Sequence, residues 1–555
     1  MTDNDTTNFT TAVENTSGAV AVPPLDISYE EDPAVLKQAA TEDYSLHVVP
    51  RTWRASRLSL TMAWSSLATA MFWVIVCVAI TQTVGVTNAI IGLILSTIAY
   101  GLICGLLAHH AIKTGTTVSL FSRSLFGYMG SALAPLLFGV TAVYYMVFEG
   151  SVIAYAFQAY FGGNIRMWYG IVILYTMPLA IGGVRVWLDK LNGVLFPVYC
   201  TGLVGTTIWA IVKYGYSNDW LHVPSAGGYS GPGIVLTFTF YMGVWIMMMY
   251  TWDFARFGRE KNVNFVAHFS FGIPFYVFTL IVNGVFGMFI AGTIAIVGDL
   301  SEVGIVLSMV SMMGIWAVLF VWSGQTKINS ANTYLASSNL ESFFSRTFKI
   351  KLKRTWWVGI AGIAAFSMMQ TDVLTYIARA LGWQAVLITA WVGITCAVLL
   401  YRFLNREKFK HEKAEFEFRP GRVRYVSPGM FAWFAAAVVG LYLFEAGGSW
   451  GVTWGAIVTF IVAFGLQYAL VAGTNKRVWL LSRPHDPRDE VDDMWEARAR
   501  CHVCDRSYVV YEMDRDPSAD QKAICAGCAS ESMTFYSACR AEHQEMEKAT
   551  VRSRG

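Results

Sequence analysis

The stretch Val143-Tyr144-Tyr145-Met146-Val147-Phe148-Glu149-Gly150 sets a single carboxyl inside an apolar run spanning about 128–160. A helix rises about 1.5 Å per residue, so about 20 apolar residues cross a hydrocarbon core of roughly 30 Å. A charge at such a depth is costly and normally faces a bundle interior or a wet cavity. The run therefore reads as a membrane helix whose partners lie elsewhere in the chain. Eleven further runs qualify, at about 58–85, 88–112, 167–187, 191–213, 231–251, 265–293, 304–338, 355–380, 383–404, 428–446 and 449–473. The fold class is thus an all-α membrane protein with about twelve transmembrane helices.

Composition excludes a soluble chain: of 555 residues, 55% are hydrophobic and only 14% charged. The net charge of +3 decides little, because its distribution matters more. Residues 1–56 form a polar N-terminal segment without a signal-peptide pattern, so the first spanning helix is expected to act as the insertion signal. Residues 57–473 form the membrane domain and 474–555 a polar tail. Basic residues crowd alternate loops: Lys113 and Arg123; Arg185 and Lys190; Arg256, Arg259 and Lys261; Arg346 to Arg354; Arg402 to Arg424. The opposite loops carry little beyond Arg166, Lys213 and Arg379. This bias predicts a multi-pass protein of the cell (plasma or inner) membrane with both termini cytoplasmic. On that side the glycosylation-like triplets at Asn4, Asn8 and Asn15 carry no meaning. The run from Arg402 to Arg424 reads as an orientation signal attracted to anionic lipid, and no nucleic-acid partner is expected.

Two other spans are unusually polar or weakened. The sixth contains Tyr241-Met242-Gly243-Val244-Trp245, and the eighth contains Ser323-Gly324-Gln325-Thr326-Lys327-Ile328-Asn329-Ser330-Ala331-Asn332-Thr333. Transporters bind solute near the midplane, often where a helix is interrupted and frees backbone groups. Each feature has a plainer reading: Glu149 as a structural carboxyl, Gly243 as a close-packing residue, the amides as interhelical glue. His109 and His110, at a helix end, read as solvated imidazoles.

Pro50-Arg51-Thr52-Trp53 before the first span resembles the nucleobase–cation symporter-1 family. So do Ala111-Ile112-Lys113-Thr114-Gly115-Thr116-Thr117, Phe121-Ser122-Arg123-Ser124-Leu125-Phe126-Gly127 and Asp253-Phe254-Ala255-Arg256-Phe257-Gly258-Arg259. Within that family the chain looks most similar to cytosine and purine permeases. Lys327-Ile328-Asn329 with Ser337-Ser338-Asn339-Leu340-Glu341-Ser342-Phe343-Phe344-Ser345 instead resembles the permease-like part of membrane proteins fused to sensor kinases. The resemblance implies a leucine-transporter-type inverted repeat of five plus five helices, two extra helices, and first and sixth spans broken at midmembrane. It implies a substrate site of Tyr145, Glu149, Gly243, Trp245, Asn329 and Asn332, with a one-residue slip putting Val244 in the aromatic slot. Tyr145 stands where Trp is common and Glu149 where Gln is frequent; an ionised carboxyl favours N–H-rich ring edges, and a protonated one can carry a coupling H⁺. The family's sodium site maps onto Ser66, Thr69, Thr326 and Lys327. An ammonium beside Na⁺ is strongly repelled, so Lys327 is expected to replace the ion and H⁺ is favoured over Na⁺. The alternative is that Lys327 points into a solvated vestibule.

In the tail, Cys501-His502-Val503-Cys504 and Cys525-Ala526-Gly527-Cys528 form two knuckles at zinc-ribbon-like spacing. They predict a tetrahedral Zn²⁺ site of Cys501, Cys504, Cys525 and Cys528, with metal supplying stability that so small a segment lacks. Cys539 and His543 are candidate substitutes. The expected function is cation-coupled symport of a nucleobase or related heterocycle such as cytosine, a purine or allantoin. The alternative is a nucleobase-sensing receptor signalling through its tail to a cytoplasmic protein partner. No nucleophile–base pair or catalytic metal cluster suggests an enzyme.

Overall fold

The computed structural model describes residues 22–225, 229–298, 301–371 and 374–552; Asn4, Asn8 and Asn15 lie outside the described residues. Helices stand at all twelve apolar runs. Among the described residues, seven are long and apolar enough to cross a membrane, and two bent pairs raise the number to nine. Of the remaining three, Ile165–Ile181 and Arg354–Met369 are short and Ile315–Thr347 is strongly polar. A count of twelve crossings therefore does not follow from length and apolarity alone. The expected eighth run is also two helices, Glu302–Met313 and Ile315–Thr347, parted at Gly314, whose φ of +57° suits only glycine without strain.

The first span is Arg57–Thr69 followed by Phe72–Val84, bent by 42°; the sixth is Gly233–Met242 followed by Ile246–Ala255, also bent by 42°. In lipid every backbone group must find an internal partner, so a break survives only where side chains supply one. They do here. The Trp73 indole donates to the Leu67 carbonyl at 2.9 Å, Asn283 donates to the Ala68 carbonyl at 2.7 Å, and the Gln325 amide oxygen accepts the Met71 N–H at 3.0 Å. At the sixth-span break, the Tyr100 hydroxyl donates to the Tyr241 carbonyl at 2.7 Å. Span eight runs along span three, with Gly139 facing Leu340 and Gly150 facing Asn329 and Met369.

The first apolar helix begins at Arg57 and the last ends at Gly473. The segments beyond them form one polar body. Strand β1 (Ile27–Ser28) pairs antiparallel with β2 (Arg498–Arg500), which pairs with β3 (Ser507–Val509); β4 (Asp514–Asp516) and β5 (Lys522–Ile524) form a hairpin. Some arginines of the basic loops are also buried tethers. Arg346 donates to the hydroxyls of Ser119 and Ser131 at 2.6 Å, and Arg419 to Glu417 and Asp486 at 2.7 Å. His110 is partly buried and pairs with Glu415.

Burial alone would raise the Glu417 carboxyl, but the charges of Arg419 and Arg488 outweigh it and hold the group at about 2. Its folded value is thus depressed, so its contribution is present above the unfolded range and lost as pH falls from about 4.3 toward 2. Arg419→Ala removes a buried guanidinium from two partly buried carboxylates, leaving Glu417 with Arg488 and Asp486 with Arg422, and should destabilise the polar body by about 1–3 kcal/mol. Thermal unfolding in detergent at neutral pH should show the loss, and the gap from wild type should narrow in acid.

Candidate functional site

Between the two broken spans and spans three and eight lies a chamber lined by Phe72, Trp73, Tyr145, Glu149, Val244, Met247, Tyr250, Ile328 and Asn332, with Leu67 and Ala70 at its edge. Its volume of about 20 Å³ admits a water but not a ring. Each wall has a sequence reason. Tyr145 and Glu149 are four residues apart and share a helix face, as do Asn329 and Asn332 at a spacing of three. The breaks contribute Ala70 and Val244, and the last helical turn before the first break contributes Leu67.

Glu149 is buried, and the Gln325 side-chain nitrogen donates to its Oε2 at 2.5 Å. The same Gln325 accepts the Met71 N–H, so one amide joins the broken first span to the carboxyl of span three. Asn332 accepts from the Tyr250 hydroxyl at 2.8 Å, while its Nδ2 is buried without a partner. Both polar side-chain atoms of Asn329 are likewise buried and unpaired; its Nδ2 lies on the Gly150 side, 3.3 Å from where a Cβ there would sit. Such orphaned amides are rare in folded interiors and call for a ligand, a water or a changed conformation.

The expected residues thus divide. Tyr145, Glu149 and Asn332 converge on the chamber. Asn329 stands one turn away against Gly150. Trp245 does not line the chamber: its ring stacks on Phe460 at 5.7 Å, and Val244 takes the inward position. Gly243 closes the first half of the sixth span rather than forming a wall. A tryptophan at a helix break packs outward here because the turn rotates its neighbour in.

The second group gathers where the first span meets span eight. The Ser66 carbonyl accepts the Thr69 hydroxyl at 2.9 Å, which also reaches the Gly324 carbonyl at 2.9 Å. Thr326 shares a hydrogen bond with Tyr175 at 2.7 Å. Lys327 is fully buried in this conformation: its Nζ donates to Ser65 Oγ at 3.3 Å and lies 4.4 Å from the Phe196 ring centre. Among the described residues no carboxylate comes within ion-pair distance of it.

Gln325, Trp73, Tyr250 and Asn283 were missed as site residues. Gln325 precedes Asn329 by one helical turn, a signal available in the sequence; Trp73 and Asn283 act on backbone exposed only by the break. In the tail, the Sγ atoms of Cys501, Cys504, Cys525 and Cys528 lie within 4.8 Å of one another. Neither Cys539 nor His543 joins them; His543 Nδ1 accepts the Ser482 N–H at 3.1 Å.

Comparison with family models and with curated proteins found no match. Among solved structures, the chain is similar to Mhp1, a nucleobase-cation-symport-1 family transporter, in a closed conformation with bromovinylhydantoin bound. That likeness has 16% identity and a TM-score of 0.59, covering 77% of this chain and 96% of Mhp1. The inward-facing conformation of Mhp1 matches with 15% identity and a TM-score of 0.58, over 77% and 93% of the two chains.

Gln325→Leu removes an acceptor from Met71 and a donor from Glu149 in a buried site. The substitution should cost about 2–4 kcal/mol, as two stranded buried groups predict, read as a lowered Tm in detergent, whereas Gln325→Glu at low pH should retain part of it. At this level of identity the likeness is one of fold: the chain is a multi-pass membrane protein with the fold of Mhp1.

Proposed function

We propose that the protein is a secondary transporter that moves a flat nitrogen heterocycle, a nucleobase or a relative such as allantoin, across the cell membrane. The observation that carries this reading is the pairing, across one aromatic chamber, of the Glu149 carboxyl with the unpartnered Asn332 Nδ2. An ionised carboxyl only accepts hydrogen bonds and an amide nitrogen only donates. Together they suit a ring that offers an N–H on one edge and a carbonyl on the next, as cytosine, oxopurines and hydantoins do. Tyr145, Trp73 and Phe72 supply flat apolar surface for the ring faces. Val244 and Met247 close the slot where Trp245 was expected.

The chamber is too tight for such a ring, so loading requires the broken spans to move relative to spans three and eight. Helices bent at midmembrane, with backbone held by side chains rather than by helix continuity, are suited to that movement. For coupling, the buried ammonium of Lys327 occupies the region where the first and eighth spans meet. A second cation placed there would meet it at low effective dielectric. Ser66 and Thr326 already spend their oxygens on Thr69 and Tyr175. We therefore assign coupling to H⁺ rather than Na⁺, with Glu149 as the proton-bearing group. Both termini are assigned to the cytoplasm on the charge bias of the loops. The tail bonded to the membrane helices keeps the sensing alternative open, and saturable binding without flux would favour it.

A binding screen of cytosine, uracil, purines, allantoin and hydantoins should yield one ligand class, and Glu149→Gln should weaken it by about tenfold or more and flatten its pH dependence. Uptake into proteoliposomes should survive replacement of Na⁺ by choline; strong Na⁺ dependence would refute the assignment to Lys327.

A further inference from the structure

The four tail thiols form a site shaped for a metal. Cys504 and Cys525 Sγ are 4.0 Å apart, close to the edge of about 3.8 Å that tetrahedral Zn–S bonds of 2.3 Å require. Backbone N–H groups point at the sulfurs, Cys525 N to Cys501 Sγ at 3.4 Å and Cys528 N to Cys525 Sγ at 3.5 Å, which favours thiolates. The first knuckle is a turn that follows β2, and the second opens the short helix Ala526–Glu531 with Cys525 as its cap.

These knuckles grip the N-terminal segment. The His47 ring stacks on Tyr508 at 4.0 Å and packs against Gly527, between two of the ligands. Glu512 holds both His47 Nδ1 and the Val48 N–H at 2.6 Å. Asp32 accepts the Ser507 N–H at 2.9 Å, and β1 completes the sheet that carries Cys501. The other side of the same segment is bonded to the membrane helices. Arg256, at the end of the sixth span, donates to the carbonyls of Asp43 and Tyr44 at 2.9 and 3.0 Å. The Asp43 carboxylate accepts from Tyr334 of span eight at 3.1 Å and from the Val184 N–H, after span four, at 2.8 Å. Ser45 donates to Glu341 of span eight at 2.5 Å, and Arg354 of span nine holds the Thr41 carbonyl at 3.0 Å. Asp43, Tyr44 and Ser45 are buried. The segment is a wedge seated among helix ends that must separate if the chamber is to open on this face. Tyr334 is only two residues beyond Asn332.

We propose that Cys501, Cys504, Cys525 and Cys528 bind one Zn²⁺, and that this metal clamps residues 32–48 across the basic end of the bundle as a metal-dependent lock. The word lock rests on the transporter reading; the clamp itself does not. No bond is made or broken beyond metal ligation, and loss of Zn²⁺ frees the wedge without touching the chamber.

The test uses the full-length protein in nanodiscs, with zinc content measured by elemental analysis and amide hydrogen exchange followed along the chain. Purified protein should hold about one Zn²⁺. Stripping with a strong chelator should speed exchange of residues 32–48 by about tenfold or more, while the membrane helices keep their protection. Glu512→Ala should keep its zinc and show the same local acceleration, so the proposal does not hang on a cysteine variant that fails to fold. Absence of bound zinc, unchanged protection of 32–48 after stripping, or unchanged protection in Glu512→Ala would each overturn it. So would loss of protection throughout the membrane helices, since the metal would then hold the whole fold. None of these readouts needs flux, so their failure and that of the transporter reading are separable.

Discussion

A membrane helix that breaks at midmembrane leaves backbone groups that no lipid can satisfy, and the rest of this structure is arranged around that fact. The first span breaks after Thr69, and its freed groups are taken by Trp73, Asn283 and Gln325. Of these, Gln325 matters most, because its other end holds Glu149. The residue that stabilises the break also orients the carboxyl of the chamber. Structure and chemistry at this point depend on one side chain.

The same economy appears at the end of the bundle that carries the basic loops. Guanidinium groups of Arg256, Arg346 and Arg354 are buried and donate to carbonyls and hydroxyls from distant segments. Buried charge of this kind adds little net stability over apolar packing but is severely costly to strand. It therefore fixes which helix ends meet which loops. The N-terminal segment and the tail are built into this network, and the polar body they form continues the membrane domain.

Much of the fold was legible in the sequence, because apolar runs long enough for a bilayer admit few other readings. The carboxyl at Glu149 and the amides of span eight were also legible, since polar groups in such runs stand out. What was not legible depends on rotation at the breaks. Val244 faces inward and Trp245 outward because the non-helical turn shifts the face by one residue, and no helical periodicity survives there to predict it. The depth of Lys327 was equally hidden: only the packing of Phe196 and Ser65 around it shows that it is buried in this conformation. The union of the two terminal segments rests on contacts more than 450 positions apart, such as His47 with Glu512, which local pattern cannot reveal.

The central claim is that Gln325 couples the broken first span to Glu149. A double-mutant cycle on Glu149→Gln and Gln325→Leu, with thermal stability and ligand affinity measured on all four proteins, addresses it directly. The account predicts a coupling of about 1–3 kcal/mol in stability, with most of the affinity lost in either single variant. Additive effects, within about 0.3–0.5 kcal/mol, would mean that the two groups do not act together, and would contradict it.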